Sequence, residues 1–312
     1  MDNRCFALAA CLLLSPAAFA QAPAAYEPPR TREGRPDFHG VWLAAFLTRF
    51  ERPDSAQALA ATPEQERVLV ASLLSRFDRV EDPDITHTPV RELAAVRGEA
   101  RTSLLVEPAD GRMPLSAKGL AAVARRDALD KNGFDHPEDR PLAERCLGGS
   151  AHAPMRTWPI VMTTQIVQTP QAVVITNEDV AGFRTIHLGS AAPPDHPPSF
   201  EGWSTGRWEG DTLVVETTGF RPDDPARGQY GRPILVGPDS RVVERFSRLS
   251  DDELLYEFTV EDADLYASPW RAEYSFTRVD DQVYEYACHE ANYSMTNMLL
   301  GGRIADAKAA GK

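Results

Sequence analysis

The chain has 312 residues, a formal net charge of −13 at pH 7 and 43% hydrophobic residues. This hydrophobic content is enough for a sizeable core in one large domain, or in one domain with an appended segment. The acidic balance makes nucleic-acid phosphate and anionic lipid poor partners, because both carry charge of the same sign. We therefore expect neither nucleic-acid binding nor stable membrane insertion.

Residues 1–20 have the pattern of a secretion signal. An apolar run at 6–14 is followed by AFA at 18–20, which matches an A-x-A cleavage site. The run is too short to span a bilayer. Cys11, at the end of LAAC, leaves lipid anchoring open as an alternative. The sequence thus predicts a periplasmic or secreted protein with a cleaved signal peptide.

Cysteine usage agrees with an exported protein. Of the four cysteines, Cys5 and Cys11 lie in the signal, so Cys146 and Cys288 remain. An even pair in an oxidising compartment is most simply a disulfide. Its loop of about 140 residues would contribute ~4–5 kcal/mol on the loop-entropy model. Two buried free thiols are the alternative.

The part before the strands is predicted to be helical and irregular. Residues 21–36 are rich in Pro, Arg and Glu and should be extended. Within 37–155, which we expect to pack on the strands that follow, a Thr-Pro-Glu start predicts a helix over 62–77. A second helix is predicted to begin at 115–116 and to run to about 129, and 80–88 is predicted to be loop.

From residue 156 onward the pattern changes to strands. About nine are predicted in the β domain over 156–293, and residues 209–211 form a hairpin turn because Gly beside Asp tolerates positive φ. A helix follows over 294–312. The predicted strands are 157–168, 172–176, 183–188, 203–208, 212–218, 241–248, 253–261, 271–278 and 282–289.

These strands predict a mainly β fold. No helix lies between them, so the sheet should be antiparallel. Tyr256, Phe258 and Val260 alternate with Glu257, Thr259 and Glu261, as in a sheet with one apolar face. A sheet of this size closes on itself or forms two layers. We expect a lipocalin-like barrel or a strongly curled meander sheet with a few peripheral helices; a sandwich is the alternative.

Several short motifs suggest a family. They are PDFHGVW at 36–42, ERC at 144–146, GRWEGDTLVV at 206–215, TGF at 218–220, ERF at 244–246 and CHE at 288–290. Together they resemble a large set of secreted bacterial proteins of unknown function. The resemblance implies a shared secreted β-rich fold and no particular reaction. The chain departs from that pattern at Trp203, where a His often stands, and at the GGS of 148–150.

Three residues are candidates for acid–base chemistry. If Cys288 is bridged, His289 and Glu290 should lie at the barrel mouth, where His289 could act as a general base and Glu290 as an acid or orienting group. The alternative is a surface His beside a Glu that starts the next helix. His187, on a predicted strand, is a third candidate, although such a His is usually structural. No metal is expected, because no close His spacing is present.

Five residues are candidates for ligand binding. Arg245 could bind a carboxylate if its face of the strand points into the barrel, whereas an outer-face ion pair is the alternative. Aromatic residues could line a barrel mouth that suits a flat apolar ligand, although aromatic residues on strands are mostly core. These aromatic candidates are Trp203, Trp208, Tyr256 and Tyr274.

Two functions follow from these candidates. The first is binding of a small apolar or aromatic molecule inside the barrel. The alternative is a cofactor-independent acid–base enzyme, such as an isomerase, lyase or hydratase, that acts on such a molecule. An envelope interaction module without a cavity is a third possibility. No cofactor is expected, because nucleotide and haem motifs are absent from the sequence, and the pattern does not indicate an oligomeric state.

Overall fold

The computed structural model describes most of the chain after the predicted signal. The signal peptide, with Cys5 and Cys11, and the loop predicted at 80–88 lie outside the described residues. The residues that the structure describes are 26–77, 90–160, 162–179, 182–193, 195–290 and 292–311.

Strands dominate the described part of the chain. Three helices, α1 (Pro63–Phe77), α2 (Ala117–Asn132) and α3 (Tyr293–Ala309), accompany them, with one 3-10 turn at Pro137–Asp139. The strands are β1 (Gly40–Leu43), β2 (Ala95–Val96), β3 (Glu99–Ala100), β4 (Leu105–Glu107), β5 (Thr163–Gln168), β6 (Ala172–Asn177), β7 (Phe183–Leu188), β8 (Trp203–Glu209), β9 (Thr212–Thr218), β10 (Ala226–Arg227), β11 (Ile234–Leu235), β12 (Arg241–Arg248), β13 (Glu253–Glu261) and β14 (Trp270–Val279).

Nine strands close into a barrel, which confirms the predicted fold class. Their order is β1-β5-β6-β7-β8-β9-β12-β13-β14, and β14 returns to β1. Val41 of β1 pairs with Gln165 on one side and with Val279 on the other. The closing strand thus comes from the region predicted to be helical and irregular, so residues 156–293 alone do not complete the ring. β4 pairs with β14 beside the ring.

One neighbouring pair in the ring is parallel. Ile186 of β7 aligns with Ser204 of β8 in the same direction, whereas every other pair around the ring is antiparallel. The Pro-rich segment between β7 and β8 returns the chain to the same end of the barrel before β8 begins. The barrel is therefore mixed but largely antiparallel.

The hairpin and the helix starts agree with the sequence. β8 and β9 pair through Glu209 and Thr212, and Gly210 has a φ of 59°, as the tight turn requires. Ser116 caps α2 by accepting from the Gly119 N–H at 3.0 Å. Thr62 and Gln65 form a reciprocal capping box at α1.

One predicted strand is wrong. Residues 282–289 contain no strand, and the chain is irregular from Asp280 until α3 begins. β14 ends at Val279, where it pairs with β1, and most side chains of the segment that follows are exposed. Without a neighbouring strand or a buried face, the alternation there does not produce a strand. The helix predicted over 294–312 is present as α3, and Gly301 and Gly302 lie inside it.

A polar network lies inside the barrel among apolar side chains. Arg184 of β7 forms a bidentate pair with Glu244 of β12, with Nη1 2.8 Å from Oε1. Arg184 also donates from Nε to Ser204 Oγ at 3.0 Å and from Nη2 to Thr217 Oγ1 at 2.9 Å. The Tyr256 hydroxyl donates to Glu244 Oε1 at 2.7 Å. Five strands of the ring thus contribute one side chain each to a single buried network.

Replacing Glu244 with Gln should strongly destabilise the barrel. The change leaves Arg184 buried without a counter-charge, which costs ~3–5 kcal/mol in typical buried pairs. Urea denaturation of the Glu244→Gln variant measures the loss. The matched control is Arg245→Gln, which removes an exposed pair with Glu209 on the outer face and should change the midpoint little. A Glu244→Gln loss no larger than that of this control would contradict the role of the network.

Candidate functional site

The barrel interior at one end is occupied by the plug segment, residues 148–156. Ala151, Ala153 and Met155 of this segment are buried in the same apolar cluster as the inward side chains of the strands. The Met155 N–H donates to the Tyr256 hydroxyl at 2.8 Å, and the Tyr274 hydroxyl donates to the Met155 carbonyl at 3.2 Å. Two barrel tyrosines therefore fix both backbone groups of one plug residue.

Tyr256 and Tyr274 point inward but do not offer a ligand surface. Tyr256 is 0% exposed and Tyr274 1%. Burial, and then the charge of Glu244, raises the pKa of both phenols well above the usual value. They stay protonated at neutral pH. The Tyr274 hydroxyl donates to the plug segment, whereas the Tyr256 hydroxyl accepts from it and donates to Glu244. The predicted aromatic lining of an internal cavity is thus a packed core at these two positions.

Arg156 ends the plug segment and is itself buried. Its Nη2 donates to the carbonyls of Gly148 and Gly149 at 2.5 and 2.6 Å, and its Nη1 donates to the Gly228 carbonyl at 3.3 Å. These contacts fold the plug segment back on itself and tie it to the chain after β10. Burial lowers the pKa of Arg156.

His152, also in the plug segment, is buried without a hydrogen bond to either ring nitrogen. Its Nε2 lies 3.9 Å from Glu201 Oε1, too far for a hydrogen bond. Burial, together with the charges of Arg156, Arg184 and Arg227, lowers its pKa to about 3. His152 is therefore neutral at physiological pH, with burial as the main cause and the three cations acting in the same direction.

A cavity of about 460 Å³, the mouth cavity, lies beside the plug segment. Its polar and charged lining consists of Arg126, Asp127, Asp130, Ser150, Arg156, Asp179 and Gln229. Ser150 donates from its backbone N–H to Asp179 Oδ2 at 2.8 Å and from its hydroxyl to the same oxygen. The apolar lining comes from both sides of the plug segment and from the loop around β10: Pro141, Leu142, Ala143, Trp158, Ile160, Met162, Ala226 and Pro233.

A second cavity, of about 500 Å³, lies between α2 and the loops that flank β10 and β13. Charged side chains of both signs account for much of its lining, including Lys118, Arg125, Glu138, Asp239 and Asp264. Charged residues form a larger share of this lining than of the lining of the mouth cavity, so the second cavity suits an apolar ligand less well. The mouth cavity is therefore the better candidate for binding.

His187 and Trp203 lie together on the outer face of the barrel. Their rings stack at 4.0 Å between centroids with a 4° interplanar angle, and His196 meets the Trp203 ring edge-on at 4.6 Å. Burial, and then the charge of His196, lowers the pKa of His187. Inward positions of the same strand belong to Arg184 and Ile186, which are fully buried. His187 and Trp203 therefore do not contribute to the barrel interior.

Arg245 faces outward and forms the ion pair given as the alternative, so the condition for a carboxylate site at Arg245 inside the barrel is not met. It forms an ion pair with Glu209 at 3.0 Å, and both side chains are exposed. Its neighbour Glu244 takes the inward position on β12.

Trp208, another predicted ligand-binding residue, is half-buried and packs on Phe38 at 5.4 Å between ring centroids. It therefore forms part of one end of the hydrophobic core.

The predicted disulfide is confirmed. Cys146 and Cys288 are bonded, with their Cα atoms 5.8 Å apart. His289 and Glu290, which follow Cys288, are exposed and lie in the irregular segment before α3. They do not reach the interior, and the structure does not bring them together with His187 there. A catalytic role for these three residues stays a prediction.

The site residues that sequence reasoning missed lie in and beside the plug segment. His152, Arg156 and Trp158 had no motif to mark them. The one available signal was the GGS of 148–150, noted only as a departure from a pattern. Gly148 has a φ of 68° there, and the tight fold-back of the plug segment depends on such positive-φ glycine.

The described residues hold no cluster of three or more His, Cys, Asp or Glu side chains with the geometry of a metal site. In the same part of the chain, none of the helices has the length and apolar character required to cross a membrane. Searches of family models, curated proteins and solved structures find no match to this chain. The resemblance drawn from the motifs therefore stays a prediction.

The buried His152 should make stability depend on pH. The pKa of His152 is about 3 in the folded chain and about 6.5 in the unfolded chain. Between these two pH values the imidazole is protonated in the unfolded chain and neutral in the folded chain. The free energy of unfolding should fall by about 1.4 kcal/mol per pH unit as the pH drops from about 6.5 toward 3, and this contribution is fully present above pH 6.5.

A His152→Gln variant isolates this term from the titration of carboxylates. Urea denaturation at pH 7 and pH 5 should show a loss of stability in the parent protein that is about 2 kcal/mol larger than the loss in the variant. Equal losses in the two proteins would show that His152 accepts a proton as readily in the folded state as in the unfolded state.

Proposed function

We propose that this protein binds a small molecule with a flat apolar part in the mouth cavity. The observation that supports this proposal is the combination of a cavity of about 460 Å³ with mostly apolar walls and a few polar groups. Small-molecule sites commonly have volumes of about 300–1,000 Å³ and this division between apolar walls and few polar groups.

The walls suit an aromatic or aliphatic ring. Trp158 is half-buried, so part of its indole faces the cavity, and Gly228 leaves room beside the ring. Ile160, 40% exposed, and Met162 continue the apolar surface from Trp158. An apolar ligand that covers these three side chains would remove their surface from water, at a gain of roughly 25 cal/mol per Å².

The polar groups of the mouth cavity are held in fixed positions, so they would orient a bound ligand. Gln229 Nε2 donates to the Thr157 carbonyl at 3.2 Å, which fixes the amide beside the cavity. The Ser150 hydroxyl is fixed by Asp179. Polar groups held in this way cost little entropy when a ligand binds, because their rotamers are already set.

Binding inside the barrel is less well supported than binding at the mouth. The interior holds the buried ion pair, the aromatic core and the plug segment. The acid–base alternative would need His187, His289 and Glu290 in one cavity, and no observation favours it. We therefore place the ligand outside the plug segment rather than within the ring.

The compartment forms part of the same proposal. The disulfide between Cys146 and Cys288 is typical of an oxidising environment. The predicted signal at 1–20 supports export, so we infer a periplasmic or secreted binding protein.

The test is a binding measurement with neutral flat compounds, such as indole and 2-naphthol. At least one should raise the melting temperature and bind saturably. In Trp158→Ala the affinity should fall about tenfold or more, because one aromatic wall is lost (~1.4 kcal/mol).

The matched control is Trp203→Ala, which removes a tryptophan from the outer face of the barrel. Its affinity should equal that of the parent protein. The proposal is wrong if no compound of the panel binds, or if binding responds to Trp203→Ala and not to Trp158→Ala.

A further inference from the structure

A second feature at the plugged end is a buried arginine whose donors are only partly used. Arg227 ends β10, is 2% exposed, and donates from Nη1 to the Asp224 carbonyl at 2.7 Å. Its Nε and Nη2 are buried and have no hydrogen-bond partner among the described residues. Such donors are costly to bury, so each calls for an acceptor.

These two donors lie on one edge of the guanidinium, and that edge matches an oxyanion. Two other arginines of this chain use the same edge for a carboxylate. Arg140 donates from Nε and Nη2 to the two oxygens of Glu144 at 2.8 and 3.1 Å. Arg221 does the same to Asp223 at 2.8 and 2.9 Å. Arg227 has an equivalent edge without a carboxylate on it.

The nearby acids act on Arg227 by charge but do not bond to its free edge. Asp223 is held by Arg221, and the Asp224 carboxylate lies 3.7–3.8 Å from Arg126 and Arg145. Burial, and then the charge of Arg156, lowers the pKa of Arg227 to about 10, while the charges of Asp224 and Asp223 act in the opposite direction. Arg227 therefore stays charged at neutral pH, and no described carboxylate lies on its Nε–Nη2 edge.

The surroundings of Arg227 carry charges of both signs. Arg156 is also buried, and it donates to the carbonyls of Gly148, Gly149 and Gly228. Phe200 lies over Arg227, and the next residue, Glu201, has its Oε1 3.9 Å from His152 Nε2, so one segment borders both Arg227 and His152. Neutral His152 offers one N–H donor, and both of its ring nitrogens are buried and without partners.

Phe200 covers Arg227 from the Pro-rich segment between β7 and β8. The guanidinium carbon of Arg227 lies 5.6 Å from the centre of the Phe200 ring, and that of Arg221 lies 4.9 Å from the same centre. The ring is half-buried and Arg221 is exposed, so this cover over Arg227 lies at the surface of the protein. Gly202, with a φ of 68°, follows two residues later, where the chain enters β8.

We propose that Arg227 and His152 form a binding site for a small oxyanion, a carboxylate or phosphate group, beneath Phe200. Arg227 would donate two parallel hydrogen bonds, and His152 would donate a third. The site is separate from the mouth cavity, because Ala226 and Gly228 line that cavity and Arg227, between them on the chain, does not.

The experiment is a set of thermal melts with added sodium phosphate, sodium acetate or sodium chloride at equal ionic strength. Phosphate or acetate should raise the melting temperature by about 3 °C at ten times its Kd, relative to chloride. In Arg227→Gln this rise should disappear. In Arg221→Gln, which changes the exposed arginine on the same phenylalanine ring, the rise should persist. An effect of acetate alone would identify an organic acid as the ligand class, and an effect of phosphate would identify a phosphorylated one.

A second measurement does not depend on the stability of the Arg227→Gln variant. The ring resonances of His152, assigned by comparison with His152→Gln, should shift in the unmodified protein with the same anion dependence as the melting temperature. The proposal is overturned if neither anion stabilises the protein more than chloride. It is also overturned if Arg227→Gln responds like the parent, or if the His152 ring does not respond. Neutral ligands of the mouth cavity have no part in this test, so its failure would leave the proposed function unaffected.

Discussion

The ion pair between Arg184 and Glu244 is the interaction on which the rest of the structure depends. Their side chains are 1% and 0% exposed, and charges so deeply buried persist only when each has its partner and its hydrogen bonds. Ser204 and Thr217, on the two strands between them, supply the remaining acceptors. A slip of one residue in any of these strands would turn a charged or polar group outward and leave another unpaired. The pair therefore fixes the register of four neighbouring strands.

Tyr256 carries this constraint to the plug segment. Its hydroxyl donates to Glu244 and accepts from the Met155 N–H, so the position of the plug depends on the same carboxylate. Because the plug and the polar network occupy the interior, the mouth cavity lies where the outer side of the plug meets the neighbouring loops. Arg156 lies at that boundary, and its hydrogen bonds to the carbonyls of Gly148 and Gly149 hold the plug segment in its folded-back shape. The location of the mouth cavity is thus a consequence of how the barrel satisfies its buried charge.

Local signals in the sequence predicted the elements of the barrel but not its interior. The turn at Gly210 and the helix caps depend on adjacent residues, so one chain is enough to predict them. The alternation of residues along β12 placed Glu244 and Arg245 on opposite faces. It did not indicate which face points inward, because both faces mix apolar and polar residues. Glu244 can point inward only because Arg184 arrives from a strand 60 residues earlier. His152 depends in the same way on arginines distant in the sequence, for which no local pattern exists.

The plugged end holds a buried cation, Arg227, in a chain whose net charge is −13. These two fields act over different distances. The surface charge repels an approaching anion until salt screens it, beyond about 8 Å at physiological ionic strength. The buried donors of Arg227 act only at hydrogen-bond distance, where a low local dielectric strengthens them. An anion therefore gains nothing from long-range attraction, and the fit of its oxygens to the edge of Arg227 decides whether it is retained. A neutral apolar molecule in the mouth cavity has no net charge for either field to act on. The mouth cavity would therefore select a neutral apolar ligand, and the site at Arg227 would select an anion.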